Sequence, residues 1–143
     1  MGVIAGARKM TAGSAMGSKK YARGLYDFAT DGGASGDITL RGDTIPSAAI
    51  ITDALIHVDT ALTSGGAATV AIKVESAADI NAADAISGAP WSSTGAKRGD
   101  FTATTAPIKT TAARSIVATV GTADLTAGKF SVLVEYVELT SQT

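Results

Sequence analysis

Cysteine is absent from this chain of 143 residues, and histidine and tryptophan occur once each. Without thiols, neither disulfides nor thiolate-bound metals can hold the fold together. A single histidine excludes a His-rich metal site and makes any catalytic triad depend on His57. That residue falls at an outward position of a strand pattern beside Asp53 and Asp59, so it reads as a solvent-facing strand histidine. Aromatic residues make up only 5% of the chain, too few for the stacking platforms that grip single-stranded nucleic acids. Trp91 stands alone in a loop and reads as the plug of a core or interface, not as a sugar platform. No P-loop, GxSxG elbow, HExxH or complete GxGxxG occurs. The expectation is a protein without catalysis and without a cofactor.

Long apolar runs are missing too, so no segment reads as a membrane span. The opening MGVIAGARKM has an apolar patch too short for a signal-peptide core and lacks preceding positive charges, so synthesis and use without that secretory route are expected. The Asp31–Asp37 loop spaces two carboxylates around glycines. It lacks the alternating oxygen ligands of a calcium loop, and no metal is expected there. Two Arg-Gly-Asp triplets, Arg41-Gly42-Asp43 and Arg98-Gly99-Asp100, read as polar turns with a central glycine.

What is present is a one-domain length, sufficient to bury a core without staples, with small residues in abundance. Alanine, glycine, serine and threonine suit closely spaced sheets and close subunit contacts; a GC-rich genome gives the same bias. Net charge is −1, but its distribution is uneven. From Met1 to Arg23 every charge is basic: Arg8, Lys9, Lys19, Lys20 and Arg23. Beyond Asp27 acids outnumber bases. The chain divides into a basic Gly/Ala-rich arm, residues 1–20, and a mildly acidic globule, residues 21–143.

Strand patterns fill the globule. Tyr21–Phe28 and Ile38–Leu40 read as strands, and Ile45-Pro46 as a corner. In the run from Ile50 to Thr60, Ala54, Ile56 and Val58 share one face and Leu55, His57 and Asp59 the other. Ala68, Val70, Ile72 and Val74 alternate with Thr69, Ala71 and Lys73. Ile116, Ala118 and Val120 alternate inward. The last strand sets Phe130, Val132, Val134 and Tyr136 against Ser131, Leu133, Glu135 and Val137; apolar residues on both faces make it central or covered by a partner. Glu75–Ile86 reads as a helical turn capped by Ser76 and Asp79, or equally as a structured loop. Thr102–Lys109 reads as an edge strand interrupted by Pro107.

A near-repeat organises these strands. Asp53–Glu75 and Arg114–Glu138 each read as strand, Leu-Thr-(Ser/Ala)-Gly, and a second strand containing Val-Glu, which predicts two similar hairpins. The fold class is all-β: an antiparallel β-sandwich, jelly-roll-like, with an extended N-terminal arm.

From about Tyr21 to Glu138 the chain resembles the head decoration, or minor capsid, proteins of tailed bacteriophages. The resemblance is carried by Ala49-Ile50-Ile51-Thr52, Ser64-Gly65-Gly66, Ile86-Ser-Gly-Ala-Pro-Trp91, Lys109-Thr-Thr-Ala-Ala-Arg114 and Leu125-Thr-Ala-Gly-Lys129. None of these is a catalytic motif. The resemblance implies a cement protein on the outer surface of the mature head, made in the bacterial cytoplasm. Its implied partners are the major capsid protein and further copies of itself, most simply in a trimer, with no direct nucleic-acid contact and no membrane. The basic arm residues Arg8, Lys9, Lys19, Lys20 and Arg23 are the expected capsid contacts. The alternatives are a tail-tube or head–tail connector subunit and a secreted ligand-binding sandwich.

Overall fold

Alternation of apolar and polar residues becomes alternation of buried and exposed side chains along each long strand. The computed structural model describes residues 18–101 and 107–139. Among them are nine strands: β1 (Lys19–Asp27), β2 (Gly36–Ile45), β3 (Ala49–Ser64), β4 (Thr69–Lys73), β5 (Asn81–Ala85), β6 (Gly95–Arg98), β7 (Ile108–Lys109), β8 (Arg114–Gly121) and β9 (Leu125–Glu138). A single helical turn, α1 (Phe28–Asp31), follows β1. All pairings are antiparallel, in the order β5-β4-β8-β2-β1-β9-β3-β6, with β7 also on β3. The all-β antiparallel class is therefore as the sequence predicts. Ile56, Val58, Val70, Ile72, Val74, Ile116, Val132 and Val134, which strand alternation predicts as core, are all buried.

The sheet is curled around one core. β1 and β2 touch only through Gly24–Gly42 and Leu25–Arg41, and there the sheet bends. One layer, β5-β4-β8-β2, and the other, β1-β9-β3-β6, contribute to the same buried cluster, with Trp91, Tyr26 and Phe130 as its largest aromatic members. The final strand is central, pairing with β1 and β3 on its two sides.

The predicted hairpins require a correction. β3 does not pair with β4, nor β8 with β9; instead β3 pairs with β9 and β4 with β8. Each repeat spans both layers, and the Leu-Thr-x-Gly tetrads pair with one another. Thr63 lies opposite Ala127 and Ser64 opposite Leu125, with the Thr63 and Thr126 hydroxyls 2.8 Å apart. Gly128, at φ +132°, leaves room for Leu62; a Cβ there would stand 2.1 Å from Leu62 Cδ2. The tetrads are packing elements, and the turns lie beside them.

Other local readings shift in the same way. The Ser76–Asp79 capping pair forms without a helix. The Asp79 carboxylate accepts the N–H groups of Val74, Glu75 and Ser76 at 2.8–2.9 Å, and the chain then enters β5. This is the loop alternative as far as Ile80 and a strand afterwards. Of the predicted Thr102–Lys109 strand, Ile108 and Lys109 pair with Ile51 and Ile50; residues 102–106 lie outside the described residues. β1 begins at Lys19, two residues before the expected start of the globule.

The free edges of the two layers meet at β5 and β6. Gly99 N–H continues the β3–β6 ladder to Ala54 O; beyond it Phe101 N–H donates to Ile80 O and the Asp100 carboxylate accepts Ala82 N–H, reaching the start of β5. Side chains of β6 and β5 complete this seam, although no strand ladder pairs the two edges.

Candidate interaction site

The outer face of the β1-β9-β3-β6 layer is built from directly paired residues. Paired residues in an antiparallel sheet project on the same side, so the register defines rows. One row reads Lys19, Val137, Ile50, Lys109. The next reads Tyr21, Glu135, Asp53, and the third Arg23, Leu133, Leu55, Arg98. Apolar side chains occupy the middle of the first and third rows, each with a basic residue at both ends, and the row between them carries two carboxylates. Tyr21 and Leu55 are 54% and 42% exposed, a large apolar exposure for strand residues.

The acidic middle row is tied to its own sheet. Glu135 accepts the Thr52 hydroxyl at 2.8 Å and lies 3.7 Å from Lys19 Nζ. The Thr52 bond is the main reason its carboxyl sits below the ordinary range. Asp53 pairs with Arg98 at 3.4 Å. Lys20 donates to Glu138 at 2.8 Å, which raises the lysine above its ordinary value. Arg23 donates its backbone N–H to Asp43, while its side chain is exposed. Of the five basic residues predicted as contacts, β1 thus places Lys19 and Arg23 on this face, while Lys20 pairs with the Tyr136–Ile51 row and projects from the other side of the sheet. Arg8 and Lys9 lie outside the described residues. Arg98 and Lys109 were not anticipated, because only the strand register brings them to the same rows.

The opposite layer presents a polar surface. Lys73 and Thr119 both bind Asp37, holding that carboxyl below its ordinary range. Arg114 makes two bonds to Glu75, at 2.8 and 3.0 Å, and Thr111 adds its hydroxyl and N–H. Arg114 is the largest of the causes that lower Glu75 from 4.5 to about 2. A group depressed in this way stabilises the fold above its unfolded pKa, and the contribution disappears as pH falls through the folded value. Thermal stability should therefore fall as pH is lowered from about 4.5 to 2. Glu75→Gln should lower the midpoint at neutral pH and flatten part of this acid dependence. An identical pH profile in the variant would show that the Glu75 contacts do not matter to stability.

Other candidates resolve into structure. Arg41-Gly42-Asp43 is not a turn but lies within β2, where its pairing with β8 shifts register. Arg41 grips Asp31 through two nitrogens and Asp43 caps Arg23 N–H. Arg98 ends β6, and Asp100 closes the seam. Asp31 and Asp37, the two ends of the glycine loop, bind different cations, Arg41 and Lys73. His57 is exposed, with Nδ1 3.1 Å from Asp59. Trp91 is a core plug, packed edge-on against Phe130 at a centroid distance of 5.0 Å.

No family model matches the chain, and neither does any curated protein. Solved structures do. A chain of the Ralstonia phage GP4 capsid aligns with a TM-score of 0.63 at 21% identity, covering 95% of this chain and 94% of that one. A chain of the cyanophage Pam1 capsid asymmetric unit gives 0.61 at 21% identity over 95% and 96%. One from the acidic stable capsid of Helicobacter pylori bacteriophage KHP30 gives 0.60 at 16% identity over 87% and 92%. At these identities the likeness is one of fold, and it extends over nearly the whole of each chain.

Proposed function

We propose that this chain is a non-enzymatic structural protein of a tailed-phage head that decorates, or cements, the outer surface of the mature shell. The observation that supports this most is the shared fold with chains from three phage capsids over at least 87% of this chain. The curled sheet, in which β3–β4 and β8–β9 run together through both layers, suits a compact, disulfide-free body. The β1-β9-β3-β6 face offers two rows with apolar middles and basic ends on either side of a carboxylate row already bound by Lys19, Thr52 and Arg98, the form of a surface that seats on an acidic, partly apolar partner. The major capsid protein is that partner in this reading, with neighbouring copies, most simply three, around each site.

Binding only the mature shell would stabilise that state by mass action. Many copies would let modest contacts add up across the lattice. The arm extends the contact, with Arg8, Lys9, Lys19, Lys20 and Arg23 facing shell acids. Lys19 and Lys20 already have intramolecular carboxylate partners, so Arg23 would carry more of that attraction than either of them.

Co-sedimentation with empty mature shells tests the reading. The intact chain should pellet with the shells, and rising salt should weaken binding because the basic contacts are exposed. Leu55→Glu and deletion of residues 2–17 should each reduce binding about tenfold or more, the effect of losing roughly 1.4 kcal/mol, while leaving a folded β-rich protein. Unchanged binding in both variants would remove this face and the arm from the interface.

A further inference from the structure

The seam between β5 and β6 contains three polar side chains where a curled sheet ordinarily buries apolar ones. Asn81 lies opposite Ile72 and Asp84 opposite Val70, while Lys97 lies opposite Ile56. Each of those three apolar partners is fully buried and faces the core. Asn81, Asp84 and Lys97 therefore project inward from the two free edges and meet between them. Asn81 is itself fully buried. Lys97 Nζ is 3.2 Å from Asn81 Oδ1 and 3.4 Å from Asp84 Oδ2, and Asn81 Nδ2 is 2.9 Å from the same Asp84 oxygen.

This arrangement has more chemical order than an ion pair. A single carboxylate oxygen touches both a primary amine and the amide nitrogen of a carboxamide, and the carboxamide's oxygen receives the amine. These are the entering group, the leaving group and a proton carrier for an acyl transfer. We propose that Lys97 and Asn81 form an intramolecular isopeptide bond, with Asp84 as the catalytic proton shuttle.

Asp84 takes a proton from the Lys97 ammonium, and the neutral amine attacks Asn81 Cγ. Asp84 then returns the proton to Nδ2. The Cγ–Nδ2 bond breaks, a Cγ–Nζ secondary amide forms, and one of the two protons then on Nζ leaves with the departing ammonia as ammonium while the other stays on the amide. The reaction is a redox-neutral transamidation needing no co-reactant. The seam holds the reacting groups within one folded domain, which replaces a bimolecular encounter by a positioned one. The side chains of Lys97 and Asp84 are about one-third exposed, at 34% and 32%, so ammonia has a way out. In a chain without cysteine, this bond would be the covalent closure of the seam.

The test is the intact mass of the purified full-length chain, followed by peptide mapping. The wild type should be lighter than its sequence by one ammonia, and digestion should give a branched peptide joining Asn81 to Lys97. Lys97→Arg keeps the positive charge but cannot form this bond, and it should retain the full mass. Asp84→Asn should do the same or lose ammonia far more slowly. Cyclisation of Asn81 onto its own backbone also releases ammonia, but it would persist in the Lys97→Arg variant and give no branched peptide. A wild type that keeps its full sequence mass after prolonged incubation in alkaline buffer would overturn the proposal. So would an ammonia loss that survives Lys97→Arg.

Discussion

Replacing Trp91 by alanine should lower the unfolding free energy by about 3–5 kcal/mol, the range for deleting a large buried aromatic. Trp91 is fully buried and is the largest side chain of the core. Its ring meets Phe130, which in turn stacks on Tyr26 at 4.9 Å. Its backbone carbonyl also accepts Leu62 N–H, so the loop carrying it is fastened to β3 beside the paired tetrads. The cavity left by alanine would open where both repeats cross. Trp91→Phe should be much milder. Among the described residues the indole Nε1 has no hydrogen-bond partner, so the smaller ring loses packing but no polar contact. Urea titrations of the three proteins check this. Equal losses in both variants would mean that the site depends on the indole N–H.

Gly42→Ala should be the other severe substitution, and its cause is backbone geometry. Gly42 sits at φ +137°, and a Cβ there would stand 2.1 Å from the Arg23 carbonyl oxygen. The obstacle is main chain belonging to β1, so no rotamer change relieves it. Gly24 and Gly42 face each other at the narrow β1–β2 contact that joins the two layers. The expected loss exceeds the roughly 1–3 kcal/mol of a strained backbone position alone, because the bend itself must open. Gly36→Ala provides the comparison: φ is +118° but a Cβ would meet nothing within 4 Å. It should cost the strain and no more. If thermal unfolding puts the two alanine variants level, the contact with Arg23 is not what requires glycine.

The same bend explains how far the fold could be read from residues. Faces were legible wherever a strand ran long enough for alternation, as in Ala54-Ile56-Val58 and Phe130-Val132-Val134. Both sets are buried as the alternation predicts. Pairing was not legible. Two segments of strand, Leu-Thr-x-Gly and strand resemble two hairpins locally. Only tertiary packing, with Leu62 seated over Gly128, makes the segments partners of one another. The capping pair Ser76–Asp79 was a real hydrogen-bonding signal, but the turn it stabilises leads into β5.

The interaction face was half legible. Lys19 and Arg23 stood out because their segment has no acid, whereas Arg98 and Lys109 join them through cross-strand register. The seam was hidden for a different reason. β5 and β6 are five and four residues long, too short for alternation to mark Asn81, Asp84 and Lys97 as inward. Both Arg-Gly-Asp triplets drew attention as motifs. Their charged groups prove to be occupied by Asp31, Arg23 N–H, Asp53 and Ala82 N–H.

The most direct test of the central claim is a cryo-EM reconstruction of the phage particle that carries this protein. The expected density is the curled nine-stranded sheet on the outside of the mature head, with Tyr21, Leu55 and Leu133 turned toward the major capsid protein or a neighbouring copy. Such sheets arranged in rings within the tail, or a head whose outer surface carries none of them, would contradict the claim.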